Sequence, residues 1–209
     1  MSNEIENNFE KNVFINCPFD REYLSLLQPL LFTLIYLDFN PRIASERFDS
    51  GETRFSKICE IIQQSKYAIH DLSRIKAKKK GEYFRLNMPF ELGLDIGCRF
   101  FNSDKFKSKR CLILEEEKYR FQAALSDLSN SDIKSHENEA TKVVQNIRNW
   151  FYENGVKPLP TPITIWYSFT DFMKDLDDKR IREGFHDSDI YEMPIPEYID
   201  YCRNWKNAL

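Results

Sequence analysis

No apolar run in this 209-residue chain approaches the roughly 20 residues that a membrane-spanning helix needs, so no bilayer-crossing segment is expected. Cysteine is scarce and unpatterned. Cys17, Cys59, Cys98, Cys111 and Cys202 are odd in number, lack a CxxC pair and lie mostly inside apolar stretches; that excludes a disulfide framework and structural zinc and fits a reduced cytoplasmic protein. Glycine is also sparse, with six residues and no GxGxxG or Walker pattern, so neither of the usual phosphate-loop signatures is present. The three histidines have no metal-ligand spacing, and no metal is expected: His70 reads as a satisfied core residue, His136 and His186 as surface residues in polar stretches. A net charge of −3 gives no general attraction to nucleic acid, and the polar, acidic start from Met1 to Lys11 reads as a loose tail rather than a secretory signal.

What is present is an ordinary globular composition, 42% hydrophobic and 30% charged, enough for one substantial core. Val13 to Cys17 is a short β-branched run stopped by Pro18, the pattern of a buried strand. Asp20 can cap a following helix whose Tyr23, Leu26, Leu27, Leu30, Leu31, Leu34 and Ile35 share one face, with Pro29 expected to kink it. Pro41 to Ser45 is a weak second strand. A turn at Asp49 to Glu52 then feeds a helix reaching Ser65, with Phe55, Ile58, Ile61 and Ile62 expected inward. Tyr67 to Leu72 is a third strand, Pro89 opens a further helix through Ile96, and Cys111 to Leu114 is a fourth strand.

Alternating strands and helices predict an α/β, flavodoxin-like parallel sheet with helices on both faces. Beyond Leu114 the pattern loosens: Tyr119 to Glu137 is polar, Ala140 to Tyr152 is amphipathic, and three prolines mark a boundary between Val156 and Pro162. The expected organisation is a tail over 1–11, an α/β domain over 12–155 and a C-terminal extension over 156–209 packed on the core. In that extension Ile163 to Arg182 is predicted helical, with Trp166, Phe169, Phe172, Met173 and Leu176 on one side, and the remainder irregular.

Ligands of open parallel sheets bind outside the carboxyl ends of the strands. The candidate residues are therefore Asn16, Cys17, Pro18 and Phe19 after the first strand, Ser45, Glu46 and Asp49 to Glu52 after the second, Asp71 to Arg74 after the third and Glu115 after the fourth. Ser50 and Gly51 are a place where helix-start amides could meet phosphate. Asn87-Met88-Pro89-Phe90-Glu91-Leu92-Gly93 puts a carboxylate in the first turn of a mostly apolar helix, with Gly93 and Gly97 expected to let that helix approach a neighbour closely. Glu91 has two readings, a reactive carboxylate or a plain complement to the helix dipole worth roughly 0.3–1 kcal/mol. Asp71 likewise reads either as a site residue or as a turn cap. The basic run from Arg74 to Arg85 is either a solvated loop or a phosphate-attracting flap.

The segments VFINCPFD (13–20), DSGETRFSKICEII (49–62), YAIHDLSR (67–74) and NMPFELGLDIG (87–97) together resemble bacterial proteins with a TIR-like fold, near nucleoside 2-deoxyribosyltransferases and TIR-domain NAD glycohydrolases. The likeness covers about residues 12–150. It implies cleavage of a base–sugar bond in NAD or a related nucleotide, with no cofactor and with Glu91 as the catalytic glutamate. The residue-by-residue match is confined to Glu91 and, less closely, Asp71; with the positions after strands and at helix starts, the expected substrate contacts are Asn16, Pro18, Phe19, Ser50, Gly51, Arg54, Asp71, Ser73, Asn87 and Met88, and the reading depends on Glu91 and Asp71 opening onto one cavity. By the family likeness the protein is expected to self-assemble or to join a defence-system partner as an antiviral effector. A nucleotide-sensing module without turnover and a deoxyribosyltransferase stand as alternatives. The basic insertion between the DLS strand and the ELG helix, and the lack of an identifiable second-subunit site residue, set the chain apart from the transferases.

Overall fold

β1 (Asn12–Asn16) is buried along its whole length, as its unbroken apolar centre requires. It pairs in parallel with β2 (Asn40–Arg42) on one side and β3 (Tyr67–Asp71) on the other, and β3 continues to β4 (Arg110–Glu115) and β5 (Ile133–Ser135). The order β2-β1-β3-β4-β5, all parallel, is that of a flavodoxin-like α/β fold. These coordinates, a computed structural model, describe residues 8–46, 49, 51–75, 77, 85–118, 120, 125–126, 132–186 and 192–209. Two compact units emerge, Met1–Pro18 with Asn40–Asn138, and Phe19–Phe39 with Glu139–Leu209. Their borders thus fall at the ends of β1 and β5 and before β2, not at the proline cluster of 156–162.

The first unit contains the sheet, with helices α2 (Arg54–Gln63) and α3 (Asn87–Phe101). Thr53 caps α2 through its Oγ1, which accepts from the Ser56 amide at 3.2 Å. Ile58, Ile61 and Ile62 of α2 pack with Phe14 and Ala68 of the sheet, and Leu92 and Met88 of α3 pack with Leu72 and Ile113. Asn12 ties β1 to the end of α2, its Nδ2 donating to Gln64 O at 2.9 Å. Phe55 and Phe90, expected or placed on periodic apolar positions, are instead more than half exposed and stack on each other with centroids 6.2 Å apart. The close approach expected at Gly93 and Gly97 is not made among the described residues. A Cβ at Gly93 would meet nothing within 4 Å, and one at Gly97 only Phe101 of the same helix at 3.8 Å.

The second unit is helical: α1 (Leu24–Tyr36), α4 (Ala140–Glu153), α5 (Pro162–Arg182) and α6 (Ile195–Asn207). Pro29 lies inside α1. Phe32 is the hub of its aromatic core, 5.5 Å from Phe169, 5.3 Å from Phe172 and 5.8 Å from Trp205 by ring centroids. The aromatic series on α5 is therefore core, and the final stretch, expected irregular, forms a 13-residue helix that begins as Pro-bounded turns often do. Among the described residues no helix is long and apolar enough to cross a membrane.

Candidate functional site

In this topology the chain runs from β1 outward to β2 and returns past β1 to β3, so the switch point lies between the carboxyl ends of β1 and β3, where open α/β sheets take ligands. Asn16 and His70 face each other there in register. Asn16 Nδ2 donates to Met88 O in the first turn of α3 at 2.8 Å and lies 3.0 Å from His70 Nδ1. With that amide as donor, the imidazole proton sits on Nε2, which is 3.3 Å from Asp95 Oδ2. Asp95 in turn pairs with Lys109 Nζ at 2.9 Å, and Lys109 also donates to Ile62 O at 2.8 Å and to Ser65 O. A continuous buried polar chain, Asn16 to His70 to Asp95 to Lys109, thus fixes the start of α3 against the sheet.

Glu91 stands on the same helix one turn before Asp95 and is only 6% exposed. Helix α3 begins at Asn87, earlier than the sequence suggested, so Glu91 is in its second turn, where the helix dipole contributes little. Its charge partner is Arg54 at 3.6 Å, a side chain 60% exposed. Burial raises the Glu91 carboxyl above its ordinary range, and Arg54 offsets that only in part. A carboxylate held this way is under-solvated and would gain from a positive charge brought beside it.

The other candidate residues divide between this cluster and other places. Met88 joins it through its carbonyl while its side chain packs in the core. Asn87 is exposed at the helix start, Pro18 is buried after β1, and Arg54 joins Glu91. The Gly51 amide donates to Asp49 Oδ1 at 2.8 Å, so an acid already occupies the position imagined for phosphate. Ser50 and most of the basic run between Arg74 and Arg85 lie outside the described residues. Phe19 belongs to the helical unit, where it lines a cavity of about 290 Å³ with Asp20, Leu24 and Met193.

Asp71 does not join Glu91 in a common cluster. Successive strand residues point to opposite faces, so with His70 toward α3, Asp71 is turned to the other side of β3. There its Oδ1 accepts from the Ser73 amide at 2.8 Å and its Oδ2 lies 3.2 Å from His136 Nε2. His136, expected on the surface, is fully buried, with Nδ1 accepting from the Asn138 amide at 3.0 Å. Ser73 and Glu115 close this second cluster through Arg120, which donates to Ser73 O and, at 2.5 Å, to Glu115 Oε1. Burial raises the Glu115 carboxyl, with Arg120 opposing. Cys98, Cys111 and Cys202 are not reactive thiolates in waiting: burial pushes the Cys111 thiol up to about 11 and raises Cys98 and Cys202 as well.

The fold and site define a flavodoxin-like α/β protein with a buried carboxylate at the switch point of its sheet. No protein-family model matches the chain, and no curated protein sequence does.

Proposed function

We propose that the chain is an N-glycosidase that cleaves the base–ribose bond of NAD or a related nucleotide, with Glu91 as the catalytic carboxylate. The observation that carries the reading is the position of Glu91: desolvated, at the topological switch point, with an exposed arginine as its partner. Departure of a base leaves an oxocarbenium-like sugar, and an under-solvated carboxylate beside it stabilises that cation or bonds to it. Nicotinamide leaves as a neutral molecule, so one carboxylate suffices. Arg54, exposed and flexible on its stem, is suited to ribose oxygens or phosphate. Asn16, His70 and Met88 O hold α3, and hence Glu91, in place. Asp71, with its carboxylate engaged by His136 and the Ser73 amide, is left out of the reacting centre. By the resemblance of its motifs, the proposed setting is the bacterial cytoplasm and the proposed role antiviral defence.

The test is to incubate purified protein with NAD and with purine and pyrimidine nucleosides and to follow free base by chromatography. Release of base supports the reading, exchange onto an added base redirects it to a deoxyribosyltransferase, and saturable binding without release redirects it to a nucleotide sensor.

A further inference from the structure

The outward face of α3 is built of apolar residues and glycine alone. Leu86, just before the helix, and Phe90, Gly93, Gly97, Phe100 and Phe101 all lie within about 60° of one line along it, opposite the buried Met88, Glu91, Leu92 and Asp95. Phe90 is 55% exposed, Phe100 66% and Phe101 93%. No charged residue falls on the stripe itself, although the Arg99 guanidinium lies 5.5 Å from the centre of the Phe100 ring. A contiguous exposed apolar stripe of this kind marks a face that is covered in the working molecule. The two glycines sharpen the point, because among the described residues no other element approaches them and helix-interior glycine is otherwise unfavourable.

The four central residues of the stripe also read the same in both directions. Phe90 is followed after three residues by Gly93, after four more by Gly97 and after three more by Phe100, a pattern symmetric about position 95. An isologous two-fold contact needs this property: residue i meets j, and j meets i. An antiparallel crossing of two α3 helices over position 95 sets Gly93 of one copy against Gly97 of the other, where the missing side chains admit close backbone approach, and sets Phe90 against Phe100. Taking about 200 Å² for a phenylalanine side chain, the exposed parts of Phe55, Phe90, Phe100 and Phe101 amount to roughly 500 Å². With Leu86 and the glycine saddle, that approaches the roughly 800 Å² per partner of a standard interface. From the open glycines, the unbroken apolar stripe and its palindrome, we infer that the chain forms a two-fold homodimer through α3. The inference does not depend on the enzymatic reading, since it uses the face of α3 opposite Glu91.

Sedimentation equilibrium of the full chain tests it. Wild type should be a dimer, and Gly93→Glu and Gly97→Lys should each be monomeric, with association weakened at least tenfold. Among the described residues a Cβ at Gly93 meets nothing within 4 Å and one at Gly97 makes only an ordinary contact with Phe101, so each variant should keep its circular dichroism spectrum and cooperative melt. Mixing the two variants should restore a dimer, because the crossing places the new acid of one copy against the new base of the other. A wild type that stays monomeric at its highest soluble concentration, single variants that remain dimeric, or a mixture that fails to associate would each overturn the inference.

Discussion

Lys109 is the residue whose removal the polar chain makes most costly. Its ammonium is almost fully buried, and it donates to Ile62 O and Ser65 O at the end of α2 while pairing with Asp95 at 2.9 Å. Lys109→Met keeps the stem and deletes the charge, leaving Asp95 buried with His70 at 3.3 Å as its remaining partner among the described residues. Ile62 O retains backbone donors from Ser65 and Gln64, so the main loss is the pairing of Asp95. Breaking a buried pair on one side costs about 3–5 kcal/mol, a large share of a typical 5–15 kcal/mol stability. Urea unfolding should therefore show the midpoint falling by that equivalent. The double variant Lys109→Met, Asp95→Asn should lie about 1–3 kcal/mol above the sum of the singles, because the second change removes the stranded charge. The pH dependence has a definite sign. Burial pushes the Asp95 carboxyl up, but the His70 hydrogen bond and the Lys109 charge outweigh it, and its pKa is lowered. The unfolded chain then binds more protons in acid, so this stabilisation is present above about pH 4 and is lost as pH falls through the folded-state value. A cost below about 1 kcal/mol for Lys109→Met, with additive singles, would refute the reasoning.

Glu91→Gln should raise stability at neutral pH: its folded-state pKa is raised, so the ionised acid destabilises the fold, and the gain should shrink as pH falls through that raised value and be gone below about pH 4, readable from thermal melts across pH. His136→Gln should cost about 1–3 kcal/mol in urea unfolding, since it removes the fully buried partner of Asp71, whereas His186→Gln on the exposed surface should stay within about 0.5 kcal/mol. Tyr198→Phe should cost about 1 kcal/mol by losing the hydrogen bond from its hydroxyl to Gln28 O at 3.1 Å, without changing the far-ultraviolet spectrum.

The strands β1, β3 and β4 were legible because each is a short apolar run closed by a turn or acidic residue, a pattern that needs no tertiary information. β5 was not, because Ile133-Lys134-Ser135 offers one large apolar side chain and pairs along only three residues at the sheet edge. The last helix was hidden by Pro194 and Pro196, which read as breakers although proline is well tolerated in a first turn. Within the site, Glu91, Asn16, Met88 and Arg54 were readable from their positions after strands and near helix starts. The grouping of Asp71 with Glu91 failed on strand alternation, which sends neighbours to opposite faces. His70 reads as a core histidine and is one, yet its partners place it at the heart of the site. Asp95 and Lys109 were invisible, because a lysine before a strand looks like surface until a distant helix end and a carboxylate close around it.

In the proposed reaction the Glu91 carboxylate acts on a glycosidic bond. The direct measurement is nicotinamide release from NAD by wild type and Glu91→Gln, with NAD binding measured by calorimetry on both. Release should fall by about 10²–10³ or more while binding survives, as expected for loss of a preorganised charge partner. Release that proceeds undiminished in the variant would contradict it.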